Sequence, residues 1–250
     1  MPELEVLRIA VTHDFDDVAR QLLLRTPIMT RVTLPDLRWL GFQGDSTQLE
    51  VLLSHVTIPH LEKLQVYFLN DQPLSTQHQQ FMSTLGNLPL NTITLTFVED
   101  YINVMTYPHK GATMYTSCIT FDSSSFDWQF WSTAEFCHML RTTFSAVEHL
   151  TLKYDRHLIL SSEEPYRTQW RKLLGSFGGA KILCVDGELV EHLSRAVAAA
   201  LQPREGESPM GLLPELQELS YPAITSSLDV FTPFIDARRN AGRPVTMVHH

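Results

Sequence analysis

Cysteine is scarce in this 250-residue chain, and positive charge is in short supply. Cys118, Cys137 and Cys184 are odd in number and widely spaced, so no disulfide framework is expected and a reducing compartment is favoured. Lysine and arginine total 19 against 28 acids, for a formal charge of −9. A surface that grips a phosphate backbone needs clustered cations. The densest basic run is "RTQWRKLL" (167–174), with acids just before it, so no nucleic-acid partner is expected. No apolar run approaches the length of a membrane-spanning helix, so no membrane partner is expected either. The opening residues, "MPELEVLRIAV", carry acids where a secretory leader needs bases. Together these absences point to an intracellular protein, cytoplasmic or nuclear.

What is present describes a folded chain. Hydrophobic residues make up 44% and charged residues 19%, a globular balance with ample material for a continuous core. The pattern L-x-x-L-x-φ, with apolar substitutions, recurs as Leu4-Leu7-Ile9, Leu37-Leu40-Phe42, Leu61-Leu64-Val66 and Leu90-Ile93-Leu95. It continues as Val147-Leu150-Leu152, Ala180-Leu183-Val185 and Leu216-Leu219-Tyr221. The interval from Leu90 to Val147 is close to two units, which places a degenerate copy near "MYTSCITFD" (114–122). Alternation in "LQVYF" or "LTLKY" is the signature of a strand with one buried face.

Segments of helical periodicity lie between these strands. Phe15, Val18, Ala19 and Leu22 share one helical face; so do Leu49, Leu52, Leu53 and Val56, and Trp170, Leu173, Leu174 and Phe177. Leu189, Leu193, Val197 and Leu201 form an i+4 series. Neither strand nor helix can bury its apolar side alone, but stacked strand–helix units bury both. Two stretches break the rhythm. Residues 98–121 read as a hairpin insertion turning within four or five residues around Pro108-His109-Lys110-Gly111, and residues 202–212 as a polar loop.

Taken together, the seven copies and their helices resemble a leucine-rich-repeat protein. "FSAVEHLTLKY", "YRTQWRKLLGSFGGAKILCVD" and "LLPELQELSYPA…FIDARRNAGRPVTMV" look like the repeat region of basidiomycete F-box-type proteins. The resemblance implies an α/β fold: one irregular solenoid over 1–250, with about eight strand–helix units. Its parallel sheet would line the concave side and its helices the convex side. In such proteins the repeats recognise a partner for ubiquitylation, and a separate helical F-box binds the adaptor of an SCF ubiquitin ligase. No F-box precedes residue 1 here, so an adaptor is expected only if a longer protein supplies one. The Asn or Cys that commonly follows each repeat strand is absent from most copies.

Candidate chemistry is thin. Gly44-Asp45-Ser46 resembles the nucleophile turn of GDSL hydrolases, but none of the eleven histidines follows an Asp by three residues, as the Asp-x-x-His of those enzymes requires. Thr47-x-x-Glu50, Thr76-x-x-Gln79 and Ser132-x-x-Glu135 fit helix capping boxes instead, so Asp45, Ser46 or Thr47 is expected to cap a helix after the turn at Gly44. Gly178 or Gly179 in "LGSFGGAK" is expected as a left-handed helix cap. No metal-ligand spacing occurs, and no catalytic residue, metal or cofactor is expected.

In leucine-rich repeats the x positions of each strand face the concave surface. Carried over residue by residue, that rule exposes Arg8, Trp39, Gln43, Lys63, Gln65 and Tyr67. On later strands it exposes His149, Thr151, Lys153, Asp186 and Glu218. Trp, Tyr and Arg are the residues that most often anchor interfaces. The expected function is non-enzymatic protein binding, which by the resemblance would be substrate recognition for a ubiquitin ligase. The alternatives are a repeat segment docked permanently in a larger assembly, and a serine hydrolase using Ser46.

Overall fold

The computed structural model describes residues 4–11, 31–69, 79–122, 125–155, 164–187, 190–202, 208, 211–221 and 228–249. The expected helix through Phe15 and Leu22, the capping Thr76 and most of the 202–212 loop lie outside them.

The backbone forms an α/β fold around one large, mostly parallel sheet. The first half supplies β1 (Val6–Ala10), β2 (Val32–Thr33), β3 (Trp39–Gly44), α1 (Ser46–His55), β4 (Val56–Thr57), β5 (Lys63–Phe68) and α2 (Gln79–Gly86). Next come β6 (Thr92–Val98), β7 (Tyr101–Tyr107), β8 (Ser117–Asp122), α3 (Phe126–Met139) and α4 (Arg141–Phe144). The chain continues through β9 (His149–Asp155), α5 (Glu164–Leu174), β10 (Ile182–Gly187) and α6 (Val190–Leu201). It closes with β11 (Glu218–Tyr221), α7 (Leu228–Asn240) and β12 (Thr246–His249). Ten strands form the main sheet in the order β1-β3-β5-β8-β7-β6-β9-β10-β11-β12, while β2 and β4 form a small separate pair.

The second and third apolar positions of each repeat point to one side. Leu40, Phe42, Leu64, Val66, Ile93, Leu95, Leu150, Leu152, Leu183, Val185, Leu219 and Tyr221 are all buried. They share a single core with helix residues such as Leu49, Leu53, Phe81, Leu85, Trp170 and Val197, so the helices cover this face of the sheet. The opposite face carries the alternate residues, which are half-buried or exposed on most strands.

The position just after the first apolar residue of the motif has a backbone role. The Glu5 carbonyl accepts the N–H groups of Arg38 and Trp39, and the Arg38 carbonyl those of Glu62 and Lys63. Asn91 does the same for Glu148 and His149, Glu148 for Lys181 and Ile182, and Lys181 for Gln217 and Glu218. Five units thus enter the sheet through the same forked carbonyl. Side chains at this position also meet: Arg38 pairs with Glu62, and Glu148 pairs with Lys181 while accepting from Asn91. Because Glu148 is bound by Lys181 first and Asn91 second, its carboxyl is held below the ordinary value.

The 98–121 stretch contains the antiparallel hairpin of β7 and β8, and it lies inside the sheet, with β7 antiparallel to both β6 and β8. The strands turn at Glu99-Asp100 and again through residues 108–116, a longer connection than the four or five residues anticipated. β8, from the degenerate copy, runs parallel to β5, and β6 runs parallel to β9. A meander therefore inverts the strand order between two parallel flanks. Its inner edge holds a buried hydroxyl cluster in which Thr106 Oγ1 meets Thr116 Oγ1 at 2.9 Å and Ser117 Oγ at 2.8 Å.

Two capping expectations are also corrected. Asp45 caps α1, accepting from Gln48 N at 2.8 Å while the Gln48 side chain accepts from Asp45 N at 3.1 Å. The box is thus Asp45-x-x-Gln48, two residues before the expected Thr47-x-x-Glu50, because Asp45 is the last extended residue. Ser125 caps α3, which leaves Ser132 and Glu135 in the helix interior. Gly178 and Gly179 are absent from the glycines with positive φ. Gly179 is needed for another reason, since a Cβ there would overlap the Ser145 carbonyl oxygen.

Candidate functional site

The face of the sheet opposite the described helices holds all eleven candidate contact residues, but not as one patch. Arg8, Trp39, Gln43, Lys63, Gln65 and Tyr67 sit on β1, β3 and β5, whereas His149, Thr151, Lys153, Asp186 and Glu218 sit on β9, β10 and β11. The meander separates β5 from β9 by four strand spacings, ~19 Å at the usual inter-strand distance.

On the first flank the side chains interlock around an indole. The Arg8 guanidinium carbon lies 4.2 Å from the Trp39 ring centre, and Lys63 Nζ lies 4.9 Å from it. Since β3 runs between β1 and β5, the two cations approach Trp39 from opposite sides. Lys63 Nζ is also 4.1 Å from the ring centre of Tyr115, whose hydroxyl donates weakly to Gln65 Oε1 at 3.5 Å. Neither Arg8 nor Lys63 has a carboxylate partner among the described residues.

Above this stack, toward the strand ends, is a recess of about 660 Å³ lined by Arg8, Gly41, Gln43, Gln65, Tyr67 and Asp122, among others. Gly41 leaves a strip of bare backbone between Arg8 and Gln65, its neighbours in register. At the far wall Tyr67 donates its hydroxyl to Asp122 Oδ2 at 2.8 Å. Burial of the Tyr67 phenol, and then this bond to a carboxylate, push its pKa up to about 12.

The second flank is quieter. Lys153 faces Asp186 in register, and Nζ lies 3.7 Å from Oδ2. His149 is half-buried, and its Nδ1 is shielded without a partner among the described residues. Desolvation, followed by the charge of Lys110, pulls its pKa below the ordinary histidine value. Cys184 sits half-buried on this face and Cys118 on the meander, with burial raising both thiols; Cys137 is buried in the core.

The repeat pattern missed the residues that join the flanks. Tyr101, Asn103, Met105 and Tyr107 on β7 have no counterpart in the L-x-x-L-x-φ register, and Tyr115, Thr120 and Asp122 fall in the degenerate copy, whose outward positions the pattern does not assign. Alternation in "YINVMTY" was the available signal, since Ile102 and Val104 are buried while Tyr101, Asn103, Met105 and Tyr107 remain half-buried.

Ser46 is the first residue of α1 and is buried, and no histidine hydrogen-bonds to it among the described residues. His55, at the other end of that helix, bonds instead to Val51 O and Ser54 Oγ. Among the described residues no cluster of His, Cys, Asp or Glu could hold a metal ion, and no helix is long and apolar enough to cross a membrane. No family model, curated protein or solved structure matches this chain.

Proposed function

We propose that this chain is a leucine-rich-repeat-type recognition module that binds a protein through the uncovered face of its sheet. The carrying observation is the Arg8–Trp39–Lys63–Tyr115 stack beside the recess that Gln43, Gln65 and Tyr67 help to line. Aromatic rings stiffened by neighbouring cations offer a large contact area at little entropic cost, which is how interface anchors work. The forked carbonyl repeated at five strand entries supports the solenoid reading of the two parallel flanks. By the resemblance to F-box-type repeats, the bound protein would be a ubiquitylation substrate inside a fungal cell.

The test is affinity capture from a basidiomycete lysate with wild type and a Trp39→Ala/Tyr67→Ala variant, monitoring unfolding of both. A partner lost only by the variant, with the unfolding midpoint held within a few degrees, supports the reading. A partner set unchanged by the variant sinks it.

A second reading has its own observation. β1 is the last strand at its end of the sheet, and Leu4 and Val6 there are each 46% exposed. Permanent docking in a larger assembly would cover that edge. Concentration-dependent association in ultracentrifugation, abolished by Val6→Lys, would favour it.

A further inference from the structure

The first flank also indicates the chemistry of what it binds. We propose that the partner segment is an extended acidic peptide whose two carboxylates, one residue apart in sequence, sit on Arg8 and Lys63 on either side of Trp39. This rests on the protein-binding reading and specifies its ligand.

Charge is the starting observation. The protein carries a formal charge of −9, and many of its cations are already neutralised. Arg38 pairs with Glu62, Lys153 with Asp186, Lys172 with Glu135, Lys181 with Glu148, Arg239 with Asp236 and Arg243 with Glu215. Arg8 and Lys63 are held against rings instead, without an anion among the described residues. A guanidinium stacked on an indole keeps its edge N–H donors available, and that edge matches a carboxylate with two parallel bonds. The Lys63 ammonium lies near two rings that displace part of its water, so an incoming anion has less hydration to strip.

Geometry fixes the spacing. The two cationic heads lie 4.2 Å and 4.9 Å from the same ring centre, so they are no farther apart than the sum of those distances. Residues i and i+2 of an extended peptide point the same way ~7 Å apart, and flexible carboxylate arms cover the difference. Gly41 provides the bed for the peptide backbone, and a Cβ there would come within 3.2 Å of Arg8 Cγ and displace the arginine side chain. Asp122 is the nearest opposing charge in the recess. It sits three strands from β1, ~14 Å away laterally, and is occupied by the Tyr67 hydroxyl. Glu62 is similarly engaged by Arg38.

The experiment is selection of a random octapeptide library on the immobilised protein, followed by fluorescence anisotropy with the selected peptide. The expected pool is enriched in Asp and Glu at two positions with one residue between them. Arg8→Gln and Lys63→Gln should each weaken the selected peptide at least tenfold, with unchanged circular dichroism. Arg8→Lys should recover only part of the loss, because an ammonium cannot form the paired bonds. Arg239→Gln, exposed on α7 and away from this face, should leave affinity unchanged. A pool without acidic enrichment, or an acidic peptide indifferent to both Gln variants, overturns the proposal. So does a preference for phosphoserine over Glu at those positions. If the natural partner still disappears with Trp39→Ala/Tyr67→Ala while the pool shows no acidic preference, the binding face stands and its acidic ligand falls.

Discussion

The two flanks of the sheet are built alike and finished differently. On each side of the meander, strands enter through the same forked carbonyl and send apolar residues to the same core. On the outer surface they diverge. The first flank holds Arg8 and Lys63 against Trp39 with no counter-ion among the described residues, whereas the second matches Lys153 with Asp186. Architecture comes from one set of motif positions and surface chemistry from the alternate set, so either can change without the other. A patterned strand has this freedom because successive side chains point to opposite faces.

Breaking the scaffold on the second flank should give the largest effects and leave peptide binding on the first flank intact once the protein is folded. Gly179→Ala forces a Cβ into the Ser145 carbonyl, at a backbone contact that no rotamer change relieves. A loss on the order of 3 kcal/mol in urea unfolding is expected. Arg238 comes next. It is fully buried, and its guanidinium donates to the carbonyls of Leu213, Pro214 and Leu216 at 3.2, 3.2 and 2.9 Å. Arg238→Met should cost about 2–3 kcal/mol by the same measurement, because those carbonyls lose a shared charged donor.

The first flank should respond more mildly to its own scaffold change. The Glu50 carboxylate on α1 accepts from Gln80 N at 2.8 Å and Phe81 N at 3.0 Å, which caps α2 from a neighbouring helix. Glu50→Ala should lower stability by about 1 kcal/mol, with Glu50→Gln falling between.

The smallest expected effect sharpens the contrast through pH. Since the pKa of His149 is depressed by folding, the unfolded chain binds its proton more readily. Its contribution is complete above the ordinary histidine range and declines as pH falls from about 6.5 toward the folded value. His149→Gln should flatten that slope in urea unfolding between pH 7 and 5. A slope of equal size in the variant would assign it to another group.

Much of this organisation could be read from the sequence, residue by residue. Seven L-x-x-L-x-φ copies marked seven parallel strands because burial of Leu40, Leu64 or Leu183 imposes a local, period-2 pattern. The degenerate copy at 114–122 contains β8. By contrast β12 was not marked as a repeat, since Pro244 and Met247 stand where the leucines would be. Neighbour relations were harder to see. "YINVMTY" identifies a strand, but which strands flank it depends on residues far away in sequence, so the division of the eleven candidates into two groups was invisible. The caps were displaced for a local reason, because several residues near Gly44 could serve and backbone conformation selected Asp45. Gly179 shows the same limit, since its constraint comes from Ser145 on another loop.

The inverted order of the meander has a consequence in time. In a simple stack each new strand would close the edge left by the one before it, and a chain emerging from the ribosome could fold as it lengthens. Here Leu64 of β5 must wait for Ser117 of β8, with β6 and β7 made in between. At ordinary synthesis rates on the order of fifty residues take several seconds, during which the β5 edge has no partner strand. The nascent first flank therefore passes through an interval of exposure that the finished sheet conceals, and a chaperone that shields strand edges has its opportunity there.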